Sequence, residues 1–416
     1  MSEKIKLFTI SDHPLSPSGV GTQTRYIIEG MLKTGKYEVT SFGGAIKHND
    51  YSPMKTEQWG DAWQIWPVDG YGNPDMVRAM IRQQKPDILY FMTDPRFYGW
   101  LWQIEHEVRQ HVPMIYYHVW DNYPYPKFNR PHYISNDHVA CISKLTHDIV
   151  QNVAPEVESS YIPHAVDEDI FTPMKPETIK AMREQKNFDN KFVCFWNNRN
   201  ARRKQSGTLI WWFKDFLDRV GHENATLIMH TDVRDPHGQD LEAIIHELGL
   251  TQGEVLFSKD KVSAKDLAGM YNMADVTINI ADAEGFGLAT LESLSSGTPI
   301  LVNMTGGLQF QVTDGEEWFG VGLEPASKAV IGSLEVPYIH EDRLNKEDFI
   351  DGLVKLYEMS PEARREMGQK GREWTQKEFN FDDFIQRWDD LFMKIVDEHG
   401  SWDTRTGYSP YEVRVF

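Results

Sequence analysis

Two glutamates with glycines between them mark one stretch of the 416-residue chain as a candidate ligand-binding loop. Glu284 and Glu292 lie eight positions apart, and Gly285 and Gly287 follow the first of them. Eight positions would be a little over two helical turns, so that both carboxylates can border one cleft. The glycines lie beside the start of a predicted helix, where free backbone N–H groups attract anions. This loop could therefore hold an anionic ligand.

Two cations at a fixed spacing indicate a second loop of the same kind. Arg199 and Lys204 are five positions apart in the basic stretch NNRNARRKQ. A loop that enters a helix N-terminus can turn both side chains toward one anionic group. A solvated basic surface is the other interpretation of such a cluster, and Arg202 and Arg203 suit it.

Elements of an α/β protein position these residues. The run from Ala274 to Asn303 predicts a buried strand (276–280), a loop, a helix carrying Glu292, a Gly-Thr-Pro break at 297–299 and a second strand. Such a unit builds a parallel sheet, and ligands bind beyond the carboxyl ends of its strands. Glu284 lies at such an end, and Arg199 follows another predicted strand (192–196).

The beginning of the chain also predicts a strand, a glycine-containing loop and a helix in this order. A predicted strand from Lys4 to Ile10 leads through SDHPLSPSGVGTQ into a predicted helix from Thr22 to Leu32. Gly19 and Gly21 would let backbone N–H groups approach an anion without a Cβ in the way. A plain tight turn is the alternative for this loop. A further predicted strand (114–118) ends at His118, which is a candidate site residue or a structural one.

Composition limits the class of protein. The chain has 43 basic and 62 acidic residues, a net charge of −19, which disfavours broad nonspecific binding to nucleic acid or anionic lipid. We expect a cytoplasmic protein, because no long apolar run and no signal-peptide pattern is found. Cys141 and Cys194 lie in predicted buried strands and are expected to be structural thiols.

These motifs resemble the signature of retaining glycosyltransferases with the GT-B fold, especially glycosyltransferase family 4 (glycosyl transferases group 1). The likeness rests on the EGFG motif at Glu284, seven residues between the two glutamates, the GTP turn, and an Arg and a Lys separated by four residues. The resemblance implies two Rossmann-like, doubly wound α/β domains that face each other across a cleft. It implies an acceptor-side domain (1–165), a hinge (166–190), a donor-binding domain (191–380), and a C-terminal helix (381–416) that crosses back onto the first domain. His164 and Ala165 replace the Asn and Gly that are usual at the hinge.

Residue roles follow from the same resemblance. Glu292 is expected to bind the ribose hydroxyls of a nucleotide, and Arg199 and Lys204 its diphosphate. His118 is expected to contact the transferred sugar. The backbone segments expected at the donor are Gly19, Val20 and Gly21 at its diphosphate, and Glu284, Gly285, Phe286, Gly287 and Leu288 at its sugar.

The resemblance thus implies transfer of a hexose-type sugar from a nucleotide-diphosphate sugar, most commonly a UDP-sugar, with no metal and no cofactor. A saccharide or small-molecule hydroxyl is the expected acceptor. A hydroxymethylated DNA base stays an alternative, because the loop 116–133 interleaves aromatic and basic residues. A sugar-nucleotide epimerase or a non-catalytic nucleotide-sugar-binding protein would also fit the same fold. Oligomeric state is left open.

Overall fold

The computed structural model describes residues 4–409, which divide into two compact units. The first unit comprises the chain up to His164, Gly332–Tyr338, and the chain from Asp382 onward. The second comprises Ala165–Ile331 and Ile339–Phe381. The first unit is therefore assembled from both ends of the described chain and from one short internal segment.

The strands and helices alternate along most of the chain. The strands are β1 Ile5–Asp12, β2 Tyr37–Gly44, β3 Met54–Lys55, β4 Trp63–Pro67, β5 Ile88–Met92, β6 Met114–His118, β7 His138–Cys141, β8 Ser159–Tyr161, β9 Phe192–Asn197, β10 Ala225–His230, β11 Val255–Ser258, β12 Val276–Asn279, β13 Ile300–Asn303, β14 Gly320–Leu323, β15 Ser327–Ile331 and β16 Ile339–Arg343. The helices are α1 Gly19–Lys33, α2 Pro74–Gln84, α3 Gly99–Trp102, α4 Glu105–Arg109, α5 Arg130–Ile134, α6 Lys144–Val153, α7 Pro176–Gln185, α8 Ser206–Val220, α9 Leu241–Glu247, α10 Ala264–Met273, α11 Leu288–Ser295, α12 Gln309–Val312, α13 Lys346–Glu358, α14 Pro361–Glu378 and α15 Phe381–His399.

An eight-stranded sheet in the order β3-β4-β2-β1-β5-β6-β7-β8 organises the first unit. Its neighbouring strands are parallel, except for the short antiparallel pair β3 and β4. The central strand β5 reads ILYFM and is buried at every residue. Continuous apolar strands of this kind are typical of parallel sheets covered on both faces.

Helix α15 completes the core of the first unit. Its Trp388 ring lies 5.3 Å from the ring of Tyr90 and 4.8 Å from that of Tyr117. Asp389, on the same buried face, accepts a hydrogen bond of 2.7 Å from the Tyr37 hydroxyl. The C-terminal α-helix of the described chain is therefore packed against the sheet formed by the first part of the chain.

A six-stranded, wholly parallel sheet in the order β11-β10-β9-β12-β13-β14 organises the second unit. The chain runs from β9 outward to β11 on one side, and β12 then pairs with the other side of β9. The strand order therefore reverses between β9 and β12, which makes the crevice at their carboxyl ends the expected ligand site of such a sheet.

The structure corrects several expected element bounds. Helix α1 begins at Gly19, three residues before the predicted start at Thr22. Residues 99–109 form two short helices, α3 and α4. Helix α7, which begins at Pro176, lies within the segment 166–190.

The hairpin formed by β15 and β16 was not predicted, and it stands apart from both large sheets. None of the helices within residues 4–409 is long and apolar enough to cross a membrane.

Candidate functional site

Two loops of the second unit leave neighbouring strands at the point where the strand order reverses. We call residues 198–205, after β9, the cationic loop, and residues 280–287, after β12, the carboxylate loop. Each loop leads into a helix N-terminus, α8 after the first and α11 after the second. The predicted site residues Arg199, Lys204 and Glu284 lie in these two loops.

Buried polar contacts fix the shape of the cationic loop. Asn200 is fully buried, and its side chain donates to the carbonyl of Gln239 (2.7 Å) and accepts from the Ser206 hydroxyl (2.6 Å). A single 3-10 turn (202–204) follows, and Gln205 then adopts the left-handed conformation with φ of 56°. This geometry places Lys204 directly before the first turn of α8.

Glycines fix the shape of the carboxylate loop. Gly287 has φ of 91° at the residue before α11, a conformation that side chains rarely adopt. The amide of Gly307 donates to the Glu284 carbonyl at 3.0 Å. A Cβ on Gly306 would lie 1.7 Å from the same carbonyl oxygen. The backbone of Glu284 is therefore held by a close approach that requires glycine at 306.

Lys204 and Glu284 form a buried ion pair that joins the two loops. The two residues are only 8% and 9% exposed. The Asn279 amide also donates to the Glu284 carboxylate, at 3.3 Å. Burial opposes ionisation of Glu284, but the Lys204 ammonium and the Arg203 guanidinium outweigh it and hold the pKa of this carboxyl below its ordinary value. The structure thus presents a buried cation together with an ionised carboxylate.

Glu292 lies on α11 and is bound to a tyrosine. The Tyr271 hydroxyl donates to its carboxylate at 2.7 Å, and the same hydroxyl accepts from the Asn197 amide at 2.8 Å. Burial raises the pKa of Glu292 to about 7, although the bond from Tyr271 opposes the shift. The carboxyl therefore titrates near neutral pH.

Arg199 binds the carboxylate of Asp235, whereas Lys204 binds that of Glu284. Its guanidinium donates to both oxygens of Asp235, at 2.6 and 3.1 Å, and to Nδ1 of His237 at 2.8 Å. The bond from Arg199 lowers the pKa of Asp235 to about 2. The Arg199 side chain is 61% exposed, so it stays accessible to a ligand while Asp235 orients it.

Gly19, Val20 and Gly21 form the first turn of α1 in the first unit. Ser18 caps this helix, since its hydroxyl accepts from the Gly21 amide at 3.0 Å. A Cβ on Gly21 would lie 2.6 Å from the His13 carbonyl oxygen, which explains the glycine by close packing. Contact of these residues with a diphosphate stays a prediction.

His118 ends β6 in the first unit and is fully buried. Its Nε2 lies 2.8 Å from the Tyr133 hydroxyl, and burial lowers the pKa of the imidazole to about 3. The ring is therefore neutral and packed inside the unit, as a structural histidine would be. Its predicted contact with a sugar stays a prediction.

One group of side chains has a spacing that could suit a metal ion. Ligand atoms of Glu158, Glu398 and His399 lie within 4.8 Å of one another. Lys394 already forms an ion pair with Glu158, and both glutamates are exposed. We assign no metal to this group.

The part of the chain that contains the candidate site is similar to known glycosyltransferases. Residues 178–374 match the family model described as glycosyl transferases group 1, a range that includes both loops and Glu292. The D-inositol 3-phosphate glycosyltransferase of Corynebacterium jeikeium is 27% identical over 220 residues, which are 49% of this chain and 52% of that protein. The chain thus spans about half the length of this curated relative.

Solved structures resemble the chain over nearly its whole length. Sucrose-phosphate synthase from Thermosynechococcus elongatus matches 95% of this chain and 100% of its own, with a TM-score of 0.75 and 17% identity. HepE from Anabaena, solved with UDP and glucose, matches 94% of this chain and 100% of its own, with a TM-score of 0.70 and 15% identity. The fold of the chain is therefore GT-B, as its sequence motifs predicted.

Proposed function

We propose that the chain is a retaining glycosyltransferase, because residues 178–374 match the family model described as glycosyl transferases group 1. It moves a hexose-type sugar from a nucleotide-diphosphate sugar to a hydroxyl group of a saccharide or small molecule. The donor site lies in the second unit, where the cationic and carboxylate loops meet.

The buried pair of Lys204 and Glu284 carries this proposal. A diphosphate leaving group gains negative charge as its bond to the sugar breaks, and a preorganised cation in a water-poor site stabilises that charge best. Lys204 is such a cation, because it is buried and held at a helix N-terminus that also favours anions. A donor phosphate would share the ammonium with Glu284.

The other side chains divide the remaining tasks. Arg199, oriented by Asp235, adds a second and exposed cation for the diphosphate. Glu292 accepts hydrogen bonds from the ribose hydroxyls in the place where it now accepts one from Tyr271. The backbone of residues 285–288, at the start of α11, faces the sugar that is transferred.

Transfer with retention needs no carboxylate nucleophile. The bond between the anomeric carbon and the phosphate oxygen breaks, and the acceptor oxygen bonds to that carbon on the same face. The acceptor proton passes to the departing phosphate oxygen, which acts as the base. Lys204 and Arg199 stabilise the nucleoside diphosphate that leaves.

A UDP-sugar is the first donor to test, because the structurally similar HepE was solved with UDP and glucose. Soluble polyhydroxylated acceptors come first, because the similar proteins are named for D-inositol 3-phosphate and for sucrose phosphate. The net charge of −19 further disfavours a DNA acceptor, which must be held by a broad cationic surface.

A thermal-shift panel of UDP, GDP, ADP and their common sugar conjugates tests the donor site. A ligand at one hundred times its Kd stabilises the folded state by about 2.7 kcal/mol, which raises Tm measurably. We expect one nucleotide to raise the Tm of the wild type and of the exposed control Lys265→Ala, and to leave Lys204→Ala and Glu292→Ala unshifted. If no nucleotide stabilises the folded wild type, the proposal is wrong.

NMR of the transfer product then tests the stereochemistry. The anomeric coupling constant of a glycoside formed from an α-linked donor should report an α-linkage. An inverted product would keep the donor site and overturn the retaining mechanism.

A further inference from the structure

Strands β15 and β16 form an exposed hairpin in the second unit, and the two strands contain one buried residue. The side chains of both strands are exposed or half-buried, except for Glu341. Glu341 is only 2% exposed, although it carries a carboxylate. A charge buried at the centre of an otherwise solvated strand has to be compensated by partners, and those partners indicate what the hairpin does.

The carboxylate of Glu341 binds the first residue of the turn that ends at Lys204. Arg202 donates to both of its oxygens, at 3.0 and 2.5 Å, and Arg343 donates to one of them at 2.5 Å. Burial opposes ionisation of Glu341, but these two guanidinium groups hold its pKa below the ordinary value. The carboxylate is therefore a charged anchor for the turn.

A second carboxylate binds the residue on the other side of Lys204. Asp282 accepts from the Gln205 amide at 2.6 Å and lies 3.4 Å from the Arg343 guanidinium. Its backbone amide donates to the Arg203 carbonyl at 2.8 Å, and its carbonyl accepts from the Asp342 amide at 2.9 Å. Arg343 thus joins both carboxylates, and Lys204 is fixed from both sides by contacts that begin at β16.

Strand β16 also supports the loop that holds Glu284. The Asp342 carboxylate accepts from the Thr305 hydroxyl at 2.7 Å, and its carbonyl accepts from the Asn303 amide at 2.9 Å. Thr305 directly precedes Gly306 and Gly307, which approach the Glu284 backbone. Both members of the Lys204–Glu284 pair are therefore braced by the same strand.

We propose that Glu341 is a positioning residue for binding of the donor diphosphate. Through Arg202 and Arg343 it holds the turn of residues 202–204 in the geometry that points Lys204 toward Glu284. The inference rests on the proposed function, because it assigns the diphosphate to Lys204. Glu341 itself need not touch the donor.

Substitutions that conserve charge test this role without changing the net charge of the site. Glu341→Asp keeps the negative charge but shortens the side chain, so that it loses the bidentate contact with Arg202. Arg202→Lys keeps the positive charge but loses the planar fork that makes two parallel hydrogen bonds. Glu335→Asp is the matched control, because it makes the same change at an exposed position of the same hairpin.

Calorimetric titration with UDP and with uridine separates positioning from general damage. We expect Glu341→Asp and Arg202→Lys to bind UDP about tenfold more weakly, the equivalent of one charged hydrogen bond. Their affinity for uridine, which has no phosphate, should equal that of the wild type. Glu335→Asp should match the wild type for both probes.

The other possible results of this titration would contradict either the positioning role of Glu341 or the proposed function. UDP affinity within twofold of the wild type in either folded variant would overturn the positioning role, as would an equal loss for UDP and uridine. If Glu341→Asp does not fold, Arg202→Lys carries the test, because the Arg202 side chain is 60% exposed and tolerates replacement. A wild type that binds neither UDP nor another nucleoside diphosphate would instead contradict the proposed function.

Discussion

The charge of Glu292 depends on pH near neutrality. Its pKa of about 7 leaves the carboxyl largely protonated below that pH and ionised above it. The ionised form accepts ribose hydrogen bonds better, so we predict that UDP affinity falls as the pH is lowered from about 8 to about 6. Calorimetric titration across this range measures how the UDP affinity changes with pH.

Two variants test whether the Glu292 carboxyl causes this pH dependence of UDP affinity. Glu292→Gln cannot titrate and should bind UDP weakly with little pH dependence. Tyr271→Phe removes the hydroxyl that favours the ionised form, so its transition should shift to higher pH. If the UDP affinity of Glu292→Gln kept the pH dependence of the wild type, another titrating group would be its cause.

The pair of Lys204 and Glu284 has a stability consequence as well as a chemical one. Lys204→Met leaves an ionised carboxylate buried without its partner, and we predict a loss of about 3 kcal/mol in the free energy of unfolding. Glu284→Leu added to Lys204→Met should recover most of that loss, since neither charge then remains. Urea unfolding measures both values.

Lys265→Met is the control for this series, because Lys265 is exposed and should tolerate the change. A double variant as unstable as the single one would indicate that Lys204 stabilises the loop by packing and not by charge.

Residue type and spacing singled out Lys204, Glu284 and Glu292 as candidates, because these residues stand in short motifs that follow predicted strands, and their binding roles stay predictions. Their partners were not found. Asp235, Tyr271 and Glu341 lie far along the chain from the groups they bind, and only the folded sheet brings them together. No spacing rule links an arginine to a carboxylate that lies 139 positions away.

At the scale of elements, the segment 305–307 approaches the backbone of Glu284 closely. A Cβ on Gly306 would meet the Glu284 carbonyl at 1.7 Å, and the φ of this residue is 51°. We predict that Gly306→Ala abolishes UDP binding and lowers the free energy of unfolding by several kcal/mol, as expected where the backbone must shift. Titration and urea unfolding measure the two effects.

Gly60→Ala separates the steric effect from the conformational one. Gly60 has nearly the same φ, 50°, but nothing lies within 4 Å of the added Cβ. This control should lose only about 1 kcal/mol. Equal losses in the two variants would mean that the backbone conformation, and not the approach to Glu284, explains the glycine at 306.

The elements that sequence analysis found are those with a continuous buried pattern. Strand β12 and helix α11 were predicted from apolar runs and a Gly-Thr-Pro break. The hairpin of β15 (SKAVI) and β16 (IHEDR) was missed because its strands bury almost no apolar surface and show no regular alternation. Its Glu341 forms ion pairs with Arg202 and Arg343, and no periodicity reveals such pairs.

At the scale of the whole molecule, the described C-terminal part supports the first unit. Trp388 of α15 is fully buried against Tyr90 and Tyr117. We predict that Trp388→Ala lowers the free energy of unfolding by about 3 to 5 kcal/mol, as removal of a buried aromatic ring does. Urea unfolding monitored by circular dichroism measures the loss.

Trp211→Ala is the matched control, because Trp211 is 48% exposed on α8. It should change stability by less than about 1 kcal/mol. If both variants lost the same free energy of unfolding, the packing of Trp388 in α15 would not explain its contribution to stability.

The placement of α15 also sets the order in which the two units can form during synthesis. A nascent chain emerges from the ribosome with its N-terminus first, so that the N-terminal domain usually folds first. Here the second unit is fully translated at Phe381, whereas the first still lacks its last helix. Until α15 emerges, the rings of Tyr90 and Tyr117 lie uncovered on a nascent sheet. The unit translated first is therefore the one completed last.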